Sequence, residues 1–433
     1  MKLLVFAHTP PPHHGQSYMV QLMLAGFGGN RRNSAEQSST AAEASGGESF
    51  DIDCYHVNAR LSQKLEDIGD LRIGKFILLI GYCAQAIWCR FRYGVTNFYY
   101  IPAPGKRSAL YRDWMVMLLC RPFFKRIILH WHAAGLAKWL ETVVQMRSRS
   151  LTYHFMKQVD LSIVLSRYNR ADAEKLFSQE IKVVSNGIPD PCLDFSRQVQ
   201  PRRQARAVAR KKLLAGETLS TEELTAAGGD PQVVTVLYLA HCTREKGLFD
   251  TVAGVELANQ QLKNGGSPVS LRLLVTGNFV TADEKAEFDR GLNKPDASGT
   301  IEYLGFVSGE QKHRLLREAD LFCFPTYYEN ENQPVNLIEA MAFGLPILTT
   351  RWRSIPELFP ANYTGVVDIR APDQIARGLV SLLTSESGEG FRDIFLRNFT
   401  LNRYLSELAE ACRSVEHPSL AVPAVDSVSP VPR

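Results

Sequence analysis

Short apolar runs alternate with stretches of helical period along this chain. That alternation predicts parallel sheets flanked by helices. In the first half the strand-like runs are KLLVFAH, FDIDCYHV, NFYYIPA, RIILHWH, DLSIVLS and IKVVSNG, with the helical RYNRADAEKLF between the last two. In the second half they are VVTVLYLAH, LRLLVTGNF, TIEYLGFV, DLFCFPT and LPILTT. Helical patterns separate these at GLFDTVAGVELANQQL, SGEQKHRLLREA and PVNLIEAMAFG. The reading is two doubly wound α/β domains in tandem, with any ligand in the cleft between them at the carboxyl ends of the strands.

Three segments break the pattern. Residues 28–47 are poor in hydrophobics and rich in Ser, Ala and Gly, so a disordered loop is expected before the second strand. Residues 196–230 combine a basic helix, RRQARAVARKKLL, with a polar connection, the best candidate for the domain boundary. The end of the chain is rich in Pro and Val without periodicity. The expected division is 1–195, a 196–230 linker, 231–400, and 401–433 as a last helix with a disordered tail.

A length of 433 residues supports two domains, and 45% hydrophobic with 22% charged residues is the composition of a soluble globular protein. The eight cysteines are scattered singly, with no CxxC pair or zinc-like Cys/His spacing, which suits buried thiols in a reducing compartment. The first apolar run is too short for a secretory signal, and the longest, Phe76 to Cys89, is below membrane-spanning length. A cytoplasmic protein is expected, with peripheral attachment to the inner face of the cell membrane as a further option.

Charge adds one feature. Arg72, Lys75, Arg90, Arg92, Lys106, Arg107, Arg112, Arg121, Lys125 and Arg126 fall in one segment whose only acid is Asp113, a net charge of about +9. Trp88, Phe91, Tyr93, Trp114, Phe123 and Phe124 lie among them. Either these are solvated cations on a helix pair, or they form a face for an anionic membrane or acidic acceptor. No nucleic-acid motif accompanies them, so nucleic acid is not an expected partner.

The candidate chemistry sits in loops at strand ends. The first strand runs into HTPPPHHGQS, where Gly15 stands without the further glycines of a dinucleotide fingerprint. Asp51 and Asp53 form an Asp-x-Asp within an alternating strand, a weak metal candidate. Asn186 and Gly187 form a turn closing the first domain, where Gly187 permits a positive φ. Lys246 precedes Gly247 at a helix start, an arrangement suited to a diphosphate. In ENENQPVNLIEAMAFGLP, Pro334 suits the first helical position and Asn332 is a candidate cap. The amides of Val335 and Asn336 would then face an anion, while Glu331 and Glu339 suit sugar hydroxyls.

These motifs, in this order, resemble the retaining glycosyltransferases of family 4, which have the GT-B fold of two Rossmann-like domains facing across a cleft. ENQPVNLIEAMAFGLPIL is similar to that family's Glu-x7-Glu signature. PPPHHGQS, LHWHAAG, DLSIVLS, SNGIPD, REKG and ADLFCFPTYYE resemble its other landmarks. The resemblance implies transfer of a hexosyl unit from a UDP- or GDP-sugar to a hydroxyl acceptor, without metal or other cofactor. By position, Glu339 would hold the ribose, and Glu331 the donor hexose. Val335, Asn336 and Lys246 would hold the diphosphate, and Gly15 would let the first-domain loop approach it. His132, rather than His130, would stand near the transferred sugar. Where the family often has a Gly-Arg pair this chain has Ala240 and His241, which leaves Arg244 as the nearest replacement cation. Glu329 competes with Glu331 as the first Glu, and the spacing favours Glu331. The first domain, 1–195, would bind the acceptor and the second, 231–400, the nucleotide sugar; a lipid-linked saccharide in cell-surface or exopolysaccharide biosynthesis is the favoured acceptor. The rival readings are a catalytically silent GT-B partner in a polysaccharide assembly complex, and a sugar-nucleotide epimerase.

Overall fold

The computed structural model describes residues 1–11, 14–32, 50–61, 73–102, 105–292, 300–385 and 388–416. It contains two six-stranded sheets in which every pairing is parallel. The first comprises β1 (Lys2–Ala7), β2 (Asp53–Asn58), β3 (Asn97–Tyr100), β4 (Arg126–Trp131), β5 (Leu161–Val164) and β6 (Glu180–Val183), in the order β2-β1-β3-β4-β5-β6. The second comprises β7 (Val233–Leu239), β8 (Ser270–Thr276), β9 (Ile301–Gly305), β10 (Leu321–Phe324), β11 (Ile347–Thr350) and β12 (Val366–Val367), in the order β12-β11-β10-β7-β8-β9. The strand direction of travel reverses between β1 and β3 in one sheet and between β7 and β10 in the other. Those switch points open the crevices where α/β sheets take ligands. Each of the eleven predicted runs supplies a strand. The two-residue edge strand β12 was too short to read.

Alternation along β1 explains why both faces of the first sheet are covered. Leu3 and Val5 pack toward α1 (Gly15–Gly26), while Leu4 and Phe6 join the opposite core under α2 (Ile73–Tyr93) and α3 (Arg107–Cys120). All eight cysteines are buried and unbridged. No helix among the described residues is long and apolar enough to cross a membrane.

The basic helix of the expected linker, α4 (Gln200–Leu214), packs on the second domain. Its Arg206 and Arg210 are buried there and pair with Asp320, which precedes β10. Of the expected loop at 28–47, residues 28–32 form a turn against β2, where Asn30 bridges to Cys54 and Arg31 pairs with Asp53. The rest of that loop and the Pro- and Val-rich tail from 417 lie outside the described residues. The Arg31 contact gives Asp53 a structural partner.

Candidate functional site

Between the domains lies a cavity of about 620 Å³. Its floor on the second domain is the switch point: the loop after β7 meets the loop after β10. Gly247, just before α5 (Leu248–Asn264), makes the first loop possible, because its φ is +81° and a Cβ there would lie 2.3 Å from the Pro325 carbonyl oxygen. The turn brings Lys246 Nζ to 2.6 Å from Glu331 Oε2, and Thr326 Oγ1 donates to the same oxygen at 3.0 Å. The ammonium also sits 4.5 Å from the Tyr328 ring centroid. Glu331 is buried and lines the cavity, whereas Glu329 is exposed and does not.

The helix after Glu331, α8 (Val335–Ala342), begins without a side-chain cap. Its first amides, at Val335 and Asn336, are on the cavity wall. Asn332 therefore does not cap it; this corrects the sequence reading. Its amide instead donates to Asn169 Oδ1 at 2.7 Å, and its carbonyl accepts from Ser166 and Ser354. The neighbouring Gln333 accepts from the Asn186 backbone at 2.6 Å and offers its own carbonyl to Asn186 Nδ2 at 3.1 Å. Two consecutive polar residues thus fasten the loop before α8 to the first domain through buried hydrogen bonds. No local sequence pattern could have shown this, since the partners are about 150 residues distant.

One turn into α8, Glu339 pairs with Lys312 of α7 (Gly309–Glu318) at 2.5 Å. Sequence reasoning missed Lys312, which sits in an amphipathic run with nothing to mark it. It also missed Tyr18 on α1. Burial and the Glu339 charge push that phenol up to about 12, so it stays protonated and able to donate.

Arg244 is a second correction. It does not line the cavity; it forms a two-pronged pair with Glu287 of α6 (Ala282–Leu292) and lies over Phe249. The second cation of the cavity is Lys312. Gly187 is a third. Its φ is not positive and it does not line the cavity. A Cβ there would meet the Thr400 carbonyl at 2.4 Å, so the glycine serves a close backbone crossing. Asn186 does line the cavity. Its Oδ1, like that of Asn336, is buried with no hydrogen-bond partner.

From the first domain come Gly15, His14 and His132. Gly15 faces Val335, whose Cγ2 is 3.6 Å from where a Cβ would stand. The His14 ring accepts from the Ser17 amide at the start of α1 and meets His8 at 2.8 Å through Nε2. The His132 ring lies 4.2 Å from that of His130, tilted by 43°, and His130 is fully buried and held by Tyr99. Burial, and then the neighbouring His14, lower His8 and His132 from the ordinary 6.5 to about 3. Both are neutral imidazoles near neutral pH, able to exchange hydrogen bonds but not to supply a charge. Their protons are bound by the unfolded chain alone between pH 6.5 and about 3. Stability should therefore fall as pH is lowered through that window. A thermal-midpoint series is expected to show this slope, and His132→Asn to flatten it; a slope equal to that of the wild type would rule His132 out.

The basic and aromatic segment forms a separate surface. On α2, Phe76, Ile77, Leu78, Ile80, Trp88 and Phe91 are each at least 44% exposed, and Leu118 of α3 and Phe123 extend the patch. Its charge is smaller than expected. Arg112 is tied to Asp113, Arg121 to the carbonyls of Phe155, Lys157 and Gln158, and Arg126 to Asp160. Arg121 and Arg126 are thus corrected from surface cations to structural ones. Lys106, Arg107 and Lys125 are exposed; Arg90 reaches the Phe123 carbonyl and Arg92 lies over Tyr93. Lys75 is half-buried, and Arg72 lies outside the described residues.

Comparison with known proteins bears on this arrangement. Residues 222–398 match the family model described as glycosyl transferases group 1. The chain is 25% identical over 342 residues to the amylovoran biosynthesis glycosyltransferase AmsK of Erwinia amylovora, covering 77% of this chain and 78% of that one. In fold, it is similar to sucrose-phosphate synthase from Thermosynechococcus elongatus (TM-score 0.64, 15% identity, covering 97% of this chain and 100% of that one). It is also similar to Anabaena HepE, solved in complex with UDP and glucose (TM-score 0.60, 12% identity, covering 95% and 99%). The structural likenesses show the GT-B fold, and it is the sequence matches, to the family model and to AmsK, that support a glycosyltransferase.

Proposed function

We propose that the chain is a retaining glycosyltransferase of the family 4 type, moving a hexosyl unit from a nucleotide diphosphate sugar to a hydroxyl acceptor. The observation that carries this reading is the cavity wall around the start of α8. Two carboxylates stand on it, each matched by its own lysine, with uncapped helix amides between them. In this reading Glu339 takes the ribose hydroxyls and Glu331 the hexose. Lys246 and the amides of Val335 and Asn336 take the diphosphate, and Lys312 keeps the carboxylate pair electrically balanced. The orphaned Oδ1 atoms of Asn186 and Asn336 are acceptors that sugar hydroxyls would satisfy. His132, neutral, would hold a hydroxyl of the transferred sugar. The acceptor oxygen bonds to the anomeric carbon as the bond to the diphosphate oxygen breaks on the same face. The leaving oxygen receives the acceptor's proton. Lysines and amides aimed at the leaving group supply its charge stabilisation, so no metal is required.

AmsK is named for the biosynthesis of amylovoran, and the acceptor proposed here is a lipid-linked saccharide in polysaccharide biosynthesis. The apolar face of α2, edged by Lys106, Arg107 and Lys125, would lie on an anionic membrane from the cytoplasmic side. In liposome flotation, anionic vesicles should carry the protein upward, added salt should weaken this, and Phe91→Glu should abolish it. Equal flotation of the variant would count against membrane docking.

The function is tested by a thermal-shift series with UDP- and GDP-sugars, followed by transfer assays with the donor that stabilises. Glu339→Ala should lose about a hundred-fold in nucleotide affinity, the loss of two charge-assisted hydrogen bonds. Wild-type affinity in that variant would refute the ribose assignment. Tight nucleotide binding by the wild type without transfer to any acceptor would favour a silent partner protein.

A further inference from the structure

The residue after Glu331 and the residues on either side of His132 are joined by one buried network. Glu331 belongs to the second domain and His132 to the first, and both line the cavity. Asn332 Nδ2 donates to Asn169 Oδ1 at 2.7 Å and lies 3.5 Å from the Trp131 carbonyl oxygen. Asn169 Nδ2 donates in turn to Asp172 Oδ2 at 2.7 Å and to the Ala133 carbonyl at 3.3 Å. Asp172 accepts from the amides of Gly135 at 2.8 Å and Ala137 at 2.7 Å, where the chain leaves His132 for the helix Leu136–Thr142. Asn332, Asn169 and Asp172 are each at most 4% exposed.

The direction of every bond in this network is set from one end. As a carboxylate, Asp172 can only accept, so Asn169 must turn its amide nitrogen toward it. That leaves Asn169 Oδ1 for Asn332, whose own Oδ1 receives the hydroxyls of Ser166 and Ser354 at 3.3 and 3.0 Å. Ser166 Oγ accepts from the Asn169 backbone amide at 3.1 Å. Neither Asn can flip without setting a buried donor against a donor. Apolar packing alone would hold the two domains together without fixing their register. This network admits one register.

Asn169 and Asp172 do not line the cavity, so their effect on a bound sugar would pass through other groups. We propose that Asn169 and Asp172, with Asn332, are positioning residues that hold His132 opposite Glu331 and so place the transferred sugar for attack. This rests on the function proposed above, which puts both of those side chains on that sugar. The groups assigned there to the nucleotide, Lys246, Glu339 and the start of α8, all belong to the second domain. The bonds between Gln333 and Asn186 keep the start of α8 fastened even where the network is broken.

The test uses Asn169→Asp, which sets a second carboxylate against Asp172, and Asn169→Asp with Asp172→Asn, which restores a donor facing an acceptor. Two readouts are taken on the full chain. In the first, NMR without ligand follows the imidazole Cε1–H signal of His132, assigned by its loss in His132→Asn. It should shift or split in Asn169→Asp and return toward the wild-type position in the double variant. In the second, transfer from the stabilising nucleotide sugar should show kcat down roughly a hundred-fold in Asn169→Asp, the loss that a small misplacement brings. KM for the donor and affinity for UDP or GDP should stay within about two-fold. The double variant should recover roughly ten-fold in kcat. A network that merely stabilised the fold would lower nucleotide affinity and kcat alike. That parallel loss, an unmoved His132 signal, an unmoved kcat, or no recovery in the double variant would each overturn the proposal. Failure of the wild-type chain to transfer from any nucleotide sugar, with the His132 signal moving as expected, would instead overturn the transferase reading and leave the hold on His132 standing.

Discussion

Lys246→Met should reduce sugar transfer by roughly a thousand-fold, as expected when a preorganised charge is removed from a leaving group. The lysine is held within 2.6 Å of Glu331 and turned into the cavity by a loop that only Gly247 can form. Its loss removes a positive charge and also leaves the Glu331 carboxylate buried, with the Thr326 hydroxyl as its remaining partner. That bare carboxylate would repel an incoming diphosphate, so nucleotide affinity should fall together with the rate. The two effects can be separated. Lys246→Met with Glu331→Gln removes the orphaned charge and should restore thermal stability, while transfer stays low. Single-turnover transfer and thermal midpoints on both variants provide the check. A wild-type rate in Lys246→Met would remove this lysine from the proposed mechanism.

The largest effect on stability is expected away from the cavity. Asp320 accepts from Arg206 Nε at 2.7 Å and from the Thr235 amide at 2.9 Å, and it pairs with Arg210 at 2.5 Å. All three charged side chains are nearly excluded from solvent. Asp320→Ala should cost about 3–5 kcal/mol, because two guanidinium groups are left buried without their counter-charge. Burial alone would push the Asp320 carboxyl up; Arg210 and Arg206 outweigh it and hold the group below its ordinary 3.8. The stability it contributes is therefore complete above that ordinary value and is lost as pH falls through its lower folded value. Urea unfolding followed by far-UV ellipticity, near neutral pH, would measure the loss. A change below about 1 kcal/mol, the usual size of a surface pair, would show that the cluster is solvated.

Much of this architecture could be read from the chain because its signals are local. A strand buried on both faces is a continuous apolar run, and each predicted run lies in a parallel strand. Glu331, Glu339, Lys246 and Val335 are likewise marked by short-range spacing at helix starts. What the sequence hid depends on distant partners. Arg244 looks like a diphosphate cation until Glu287, 43 residues later, is seen to hold it. Asn332 looks like a helix cap until Asn169 and Ser354 are placed around it. Lys312 gains significance only because the sheet brings its helix beside Glu339. His14 was missed for a different reason. A histidine rarely starts a helix, and here it does so by accepting from Ser17 while leaning on His8.

The last helix, α9 (Leu401–Ser414), does not finish the domain that precedes it. The chain crosses back at Thr400, bridges to Ile188, and lays Leu405 against Gly26 of α1 so closely that a Cβ there would overlap it. Arg413 reaches the Phe50 carbonyl, and Glu416 accepts from Asn97. The first domain's core therefore includes residues made some 200 positions after its own sheet is complete. During synthesis that core waits, one apolar side open, until the whole second domain has left the ribosome. A chain stopped after residue 400 would carry every proposed donor-binding residue, yet should be captured by chaperones rather than accumulate as enzyme.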